Sequence, residues 1–338
     1  MVMNFNKPIV LASDISEIVE PYLFGKVLRY ENLGGIPNTT FKIITQQKTF
    51  AIRIYSHGQS SIEHIKMEID LLKHLERKCF PSPRVLAGKN GEILQQWKGY
   101  YTCATDYITG EMADSGKITP KLAFNVGKIV AQLNRAMYSF NLNDIPAGET
   151  FIERGEYVIK TLTEDLYKRG WDMNVANVSR QWTNASEHFI KYSTSLDCSI
   201  ISADIWPPNI KHIKSEVKAL MDFDDCCYGA QIIDLGIALM SFSMIDNIKL
   251  DKRIATHLLT GYFEAGGKTT ELEENLIVDA IEMASAMWLG YNVIQAPRYE
   301  QAEIYLIQLN MLNNKKERKG FCKDISDVIK KARFKHSK

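Results

Sequence analysis

Apolar and polar positions alternate with a period of two through the N-terminal part of the chain. Residues 26–33 predict a strand that ends at Gly34-Gly35. Residues 40–45 and 49–55 predict two more, joined by the polar turn Gln46-Gln47-Lys48. The period then changes. Ile62, Ile65, Ile69, Leu72 and Leu75 fall on one side of a helix over residues 61–78, and Pro81 and Pro83 stop it. Strands follow near 91–95 and 101–105. The pattern predicts a five-stranded antiparallel sheet with one helix.

From Lys117 onward the period is mainly helical. Leu122, Val126, Ile129, Val130 and Leu133 form the apolar face of a helix over residues 120–138. Short strands interrupt this part, at residues 199–201 and in a hairpin over 210–221 that turns at Lys214-Ser215-Glu216. Helices resume after Asp234. The expected fold class is α+β and bilobal, with a small β-rich lobe over residues 1–106 and a large helical lobe over 107–338.

Composition narrows the function class little. The chain has 338 residues, 24% of them charged, with a net charge of +1, so no global basic bias points to nucleic acid or a membrane surface. No apolar run is long enough to span a bilayer, and residues 1–7 lack the apolar core of a signal peptide. Six cysteines without a CxxC pair suit a reduced, intracellular chain, and a cytoplasmic location is expected. The seven histidines show no zinc spacing, and there is no GxSxG elbow.

The chemistry concentrates in two neighbouring stretches. Ser202-Ala203-Asp204-Ile205-Trp206-Pro207-Pro208-Asn209 puts an aspartate five residues before an asparagine, and Met221-Asp222-Phe223-Asp224-Asp225 follows one hairpin later. This is the spacing of a kinase catalytic loop and its metal-binding strand. Asp204 is the candidate catalytic aspartate. Asn209 and Asp222, hard oxygen donors, are the candidate Mg²⁺ ligands on ATP. Asp224 and Asp225 suit a second metal, a cationic group of the substrate, or capping of their own loop. Asp234 suits a bond to the loop backbone or an N-cap. In the first lobe, Gly34, Gly35, Asn38, Thr39 and Thr40 fit either a phosphate-cradling loop or an ordinary hairpin turn. Arg53 interrupts an apolar strand and has Glu68 as a partner on the next helix, the arrangement that holds α/β-phosphates in kinases. Arginine offers bidentate contacts where lysine is the usual residue. Trp288, on a helix through residues 281–292, either packs the core or walls a substrate pocket.

These residues resemble the aminoglycoside phosphotransferase-like kinases, a family that includes choline kinases, type II homoserine kinases and a bacterial stress-response protein kinase. The family pattern H-G-D-x-H-x-x-N, then I-D-[FW]-[DE]-D, is similar to the two stretches above. Asp234-Leu235 also fits. Asn38-Thr39-Thr40-Phe41 before Phe50-Ala51-Ile52-Arg53 looks most like the homoserine-kinase-type branch. The resemblance covers roughly residues 20–295. It implies a protein-kinase-like fold and a hinge at Asp106, Tyr107 and Ile108 whose backbone holds adenine. It also implies ATP and Mg²⁺ as cofactors and a small-molecule hydroxyl acceptor, with no nucleic-acid or membrane partner. Both family histidines are replaced, by Ser202 and Trp206. The clustered aspartates favour an amino-bearing acceptor. A protein Ser/Thr kinase and a nucleotide-binding pseudokinase are the alternative readings.

Overall fold

The structure, a computed structural model, describes residues 8–22, 24–35, 38–57, 61–141, 150–168, 172–246, 248–294 and 298–336. Ile36 and Pro37 of the glycine-containing turn lie outside the described residues, as does the segment 1–7. The chain divides into two compact units, Val2–Thr109 and Gly110–Lys338.

In the first unit, helix α1 (Asp14–Val19) precedes strands β1 (Val27–Gly34), β2 (Thr39–Thr45) and β3 (Thr49–Ile54). Helix α2 (Ile62–Arg77) and strands β4 (Val85–Leu86), β5 (Leu94–Trp97) and β6 (Tyr100–Asp106) complete it. The sheet order is β1-β2-β3-β6-β4, with β5 also paired to β6. It therefore carries six strands, one more than the pattern predicts. The addition is β4, two residues of backbone pairing beside β6 that are too short to show a periodicity. The strand expected at 91–95 forms later, over Leu94–Trp97.

Alternation fixes which residues face which way. Phe41, Ile43, Phe50, Ile52 and Ile54 are buried together with Ile15, Ile18 and Val19 of α1. The opposite parity of β3 carries Arg53, whose cross-strand partners are Thr40 and Cys103. Cys103 packs with Tyr55 and with Ile65 and Ile69 of α2. Helix α2 begins where the Ser61 hydroxyl accepts the His64 N–H at 3.1 Å, an N-cap that satisfies one of its free donors. The register thus delivers Arg53 to the face on which α2 lies.

The second unit is mainly helical. Strand β7 (Glu111–Met112) is followed by α3 (Pro120–Met137), α4 (Phe151–Lys168) and α5 (Asp172–Lys191). Strands β8 (Cys198–Ile201), β9 (Ile210–Ile213), β10 (Glu216–Leu220) and β11 (Cys227–Ala230) come next, then α6 (Ile232–Ser243). A small ladder of β12 (Met244–Ile245) and β13 (Lys249–Leu250) leads to α7 (Lys252–Glu264), α8 (Glu271–Ile294), α9 (Tyr299–Asn313) and α10 (Lys315–His336). Helix α3 buries the apolar face expected of it and starts with Thr119 capping the Leu122 N–H. It meets α7 at two glycines. A Cβ on Gly127 would stand 1.8 Å from the Leu258 carbonyl oxygen, and one on Gly261 1.9 Å from that of Phe124. Among the described residues, no helix is long and apolar enough to cross a membrane.

Candidate active site

Two short ladders build the acidic centre of the helical unit. Strand β8 enters the loop that carries Asp204 and β9 leaves it; β10 enters the loop that carries Asp222 and β11 leaves it. Strand β9 pairs with β10, and β8 with β11, both antiparallel. Each loop is therefore tied to the other at both ends. The Met221 N–H donates to the Asn209 carbonyl at 2.7 Å and closes the pair. Asp222 lies just past the end of β10 and not within an apolar strand, with left-handed backbone at φ +60°. Arg154 of α4 donates to the Asp225 carbonyl at 2.9 Å and holds the far end of the loop.

Asp234 supports the Asp204 loop from below. It sits in the first turn of α6, fully buried, and its two carboxylate oxygens accept the Ser202 and Ala203 N–H groups, each at 2.9 Å. Of the two roles open to Asp234 in the sequence, the structure assigns it the loop backbone. Burial pushes its carboxyl up to about 6, and the two backbone donors offset part of that. The loop they hold is strained: Ala203 has φ +58°, a region that penalises a Cβ. Among the described residues the buried Ser202 hydroxyl has no hydrogen-bond partner.

At the tip, the Asn209 side-chain amide donates to Asp204 Oδ2 at 2.6 Å and to the Asp204 carbonyl at 3.1 Å. This use of the nitrogen turns the Asn209 carbonyl oxygen away from Asp204. Desolvation first, then the charges of Asp225 and Asp222, raise the Asp204 carboxyl well above the usual range, while the Asn209 amide lowers it. Asp224 adds a smaller push in the same direction. The structure thus brings together Asp204, Asn209, Asp222, Asp224 and Asp225.

An aromatic group adjoins this centre. Trp206 packs on Trp288 of α8 with ring centroids 6.1 Å apart, and Trp288 meets Tyr305 of α9 edge-on at 5.5 Å. All three rings are half-buried. Burial and then the charge of Asp204 push the Tyr305 hydroxyl up. Tyr291 is shifted upward by burial and then by Asp225 and Asp204, with Arg298 opposing. Sequence reasoning did not find Tyr305, because nothing local links α9 to the Asp204 loop. Trp206 carried a signal, since it replaces a histidine of the resembled pattern.

The first unit holds the remaining candidates. Arg53 Nη1 lies 3.2 Å from Glu68 Oε1, and the Tyr55 hydroxyl donates to Glu68 Oε2 at 2.9 Å. Tyr55 was not foreseen in this role. Gly34 and Gly35 have φ +81° and +112°, and a Cβ on Gly35 would stand 2.7 Å from the Asn38 carbonyl oxygen. The Asn38 side chain accepts the Ser56 N–H at 3.0 Å, Thr39 is buried, and Thr40 lies beside Arg53 across the strands. Asp106 pairs with Lys48 at 3.0 Å, the Lys42 ammonium stands 4.3 Å over the Tyr107 ring, and Ile108 is half-buried.

Comparison with known proteins bears on the family and the fold. The family model described as "Phosphotransferase enzyme family" matches residues 31–267. A homoserine kinase of Nitrobacter hamburgensis is 21% identical over 259 residues, 75% of this chain and 75% of that protein. An amicoumacin kinase, solved in complex with AMP-PNP, Ca²⁺ and Ami, superposes with a TM-score of 0.68 at 12% identity, over 88% of this chain and 92% of the other. A microcompartment-associated aminopropanol kinase gives a TM-score of 0.68 at 15% identity, over 90% and 97%. At such identities the superpositions establish the fold, which is protein-kinase-like, α+β and bilobal.

Proposed function

We propose, from the premise that this chain belongs to the phosphotransferase enzyme family, that it transfers the γ-phosphate of ATP, with Mg²⁺, to a hydroxyl of a small amino-bearing molecule. Membership makes it a phosphotransferase with an alcohol group as acceptor. The observation that carries the finer reading is the Asn209 amide bonded to the Asp204 carboxylate at 2.6 Å, on a loop tied at both ends to the one bearing Asp222, Asp224 and Asp225.

The residues fit a magnesium nucleotide. Among the described residues no group of three His, Cys, Asp or Glu side chains forms a ready-made metal cage. Magnesium does not ask for one, since it is commonly held by one or two carboxylates together with phosphate oxygens and water. Asp222 would supply the carboxylate and Asn209 its carbonyl oxygen. The ion supplies neutralisation of the charge that develops on the transferring group.

Asp204 would accept a hydrogen bond from the attacking hydroxyl and draw off its proton. A carboxylate with raised proton affinity suits that task. In the first unit, Arg53 would pair with phosphate oxygens while Glu68, held also by Tyr55, fixes its direction. The backbone at Asp106, Tyr107 and Ile108 would serve the base of the nucleotide. Gly34 and Gly35 would admit phosphate close to the main chain, and Thr40 lies on the strand face that bears Arg53. With their side chains buried, Asn38 and Thr39 would contribute through the shape of that turn. Several carboxylates in one place favour an acceptor bearing an ammonium group over a neutral sugar.

A mass-spectrometric screen for ATP-dependent phosphate addition across amino-alcohols, aminocyclitols and their deaminated analogues tests the reading. Phosphorylation of an amino-alcohol, dependent on Mg²⁺ and on Asp204, is the expected result. Equal efficiency on the deaminated analogue overturns the amino-bearing acceptor. Binding of ATP without transfer to any hydroxyl overturns the kinase reading.

A further inference from the structure

Trp206 is held with unusual firmness for a loop residue. Its N–H donates to the Asp204 carbonyl at 3.1 Å, and its own carbonyl accepts the Asn209 N–H at 3.0 Å. Pro207 and Pro208 follow it and restrict the backbone further. Its backbone is therefore fixed relative to Asp204, and its ring packs on Trp288. Trp288 and Tyr305 extend the aromatic surface from helices α8 and α9.

These rings do not behave as core. Trp182 packs on Phe151 at 6.3 Å and is 3% exposed, as an aromatic in a filled interior should be. Trp206, Trp288 and Tyr305 each keep an open portion, and Tyr305 feels the charge of Asp204. An aromatic surface left partly open beside the candidate catalytic carboxylate is suited to contact the acceptor body.

We infer that Trp206, with Trp288 and Tyr305, determines acceptor specificity by selecting a compact amino-alcohol with an apolar body and rejecting polyhydroxylated aminocyclitols. The inference rests on the kinase reading above and narrows its acceptor. The physical reason is an asymmetry. Methylene and methyl groups, and an ammonium over a ring face, gain from contact with indole and phenol rings. A hydroxyl pressed against a ring loses its water and finds no acceptor, which weakens affinity on the order of tenfold for each such group. A ring of hydroxyls and amines is therefore a poor fit where a short aliphatic chain is a good one.

The test compares kcat/KM for ethanolamine and isopropanolamine with that for deoxystreptamine, in the full chain and in Trp206→His and Trp288→Leu. Quenching of tryptophan fluorescence by each acceptor, with Mg-ADP present, reads affinity in parallel. The parent is expected to favour the compact amino-alcohols by about 100-fold or more. Each variant should lower that ratio by about tenfold or more, through KM, because general damage to the loop would depress all acceptors alike. An unchanged ratio in both variants, or equal use of deoxystreptamine by the parent, overturns the inference. Selective binding without phosphate transfer counts against the kinase reading and supports the aromatic selectivity. Absence of any binding by the compact amino-alcohols overturns the selectivity.

Discussion

The two units handle charge in opposite ways. In the β-rich unit, Arg53 and Glu68 are opposite charges 3.2 Å apart, and Tyr55 completes the carboxylate. In the helical unit, the charges that act on Asp204 are those of other carboxylates, Asp225, Asp222 and Asp224, eased by the Asn209 amide. The first is an arrangement that the protein satisfies from its own side chains. The second is an arrangement in which neighbouring carboxylates raise the proton affinity of Asp204. Under the function proposed above, the first unit would present Arg53 with its direction set by Glu68, and the second would gather carboxylates toward a metal and an amino-bearing acceptor.

The hardest test of this contrast is at Asp204. Asp204→Asn should lower phosphate transfer by about 10²–10⁴-fold while nucleotide affinity stays within a few-fold. Steady-state turnover beside a nucleotide titration checks it, and transfer near the parental rate would remove Asp204 from its role. Asp222→Ala should lower transfer by roughly 10²-fold or more and abolish the Mg²⁺ dependence of nucleotide affinity. Titration of ATP at several Mg²⁺ concentrations reads this directly.

On the other side of the comparison, Arg53→Ala should weaken nucleotide affinity by about tenfold and leave its metal dependence in place. Arg53→Lys should recover part of that loss, since the charge returns without the fork of donors. If Arg53→Ala instead removed the metal dependence, the division of labour between the units would fail.

Asp234 sharpens the contrast through stability. Its folded value of about 6 lies above its unfolded value near 3.8. The folded chain therefore holds this proton more tightly, and the group's contribution is fullest below about pH 4 and falls as pH rises to 6. Asp234→Asn should destabilise the fold by about 1–3 kcal/mol at low pH, because the amide cannot accept both loop N–H groups. The gap to the parent should then narrow by up to about 3 kcal/mol between pH 4 and 6. Urea denaturation across that range measures it; a gap that widens with pH would contradict the sign. The smallest effect is at Ala203. Ala203→Gly should stabilise by about 1 kcal/mol, by relieving φ +58°, and raise Tm slightly.

Much of the fold was legible because it is local. The period-two runs over β2 and β3 and the period of α2 and α3 are written in consecutive residues. Strand β4 was not legible, since two paired residues have no period and take their conformation from β6. The candidate site was legible where chemistry and spacing coincide along the chain, at Asp204, Asn209 and Asp222. Tyr55 and Tyr305 were not. One completes a carboxylate on the following helix, and the other arrives from α9.

By itself, then, the sequence determined the elements long enough to show a period, their buried faces and the residue types available for phosphoryl transfer. Periodicity and spacing are properties of neighbours along the chain, and local sterics and hydrophobic burial act on them directly. The tertiary structure decided which carboxylates meet, through the paired ladders that tie the two loops together. It decided that Asp234 grips the loop backbone and that aromatic rings from two distant helices pack onto Trp206 of the Asp204 loop and onto each other. Desolvation and like-charge repulsion exist only once those segments are in contact, so no stretch of sequence carries them alone.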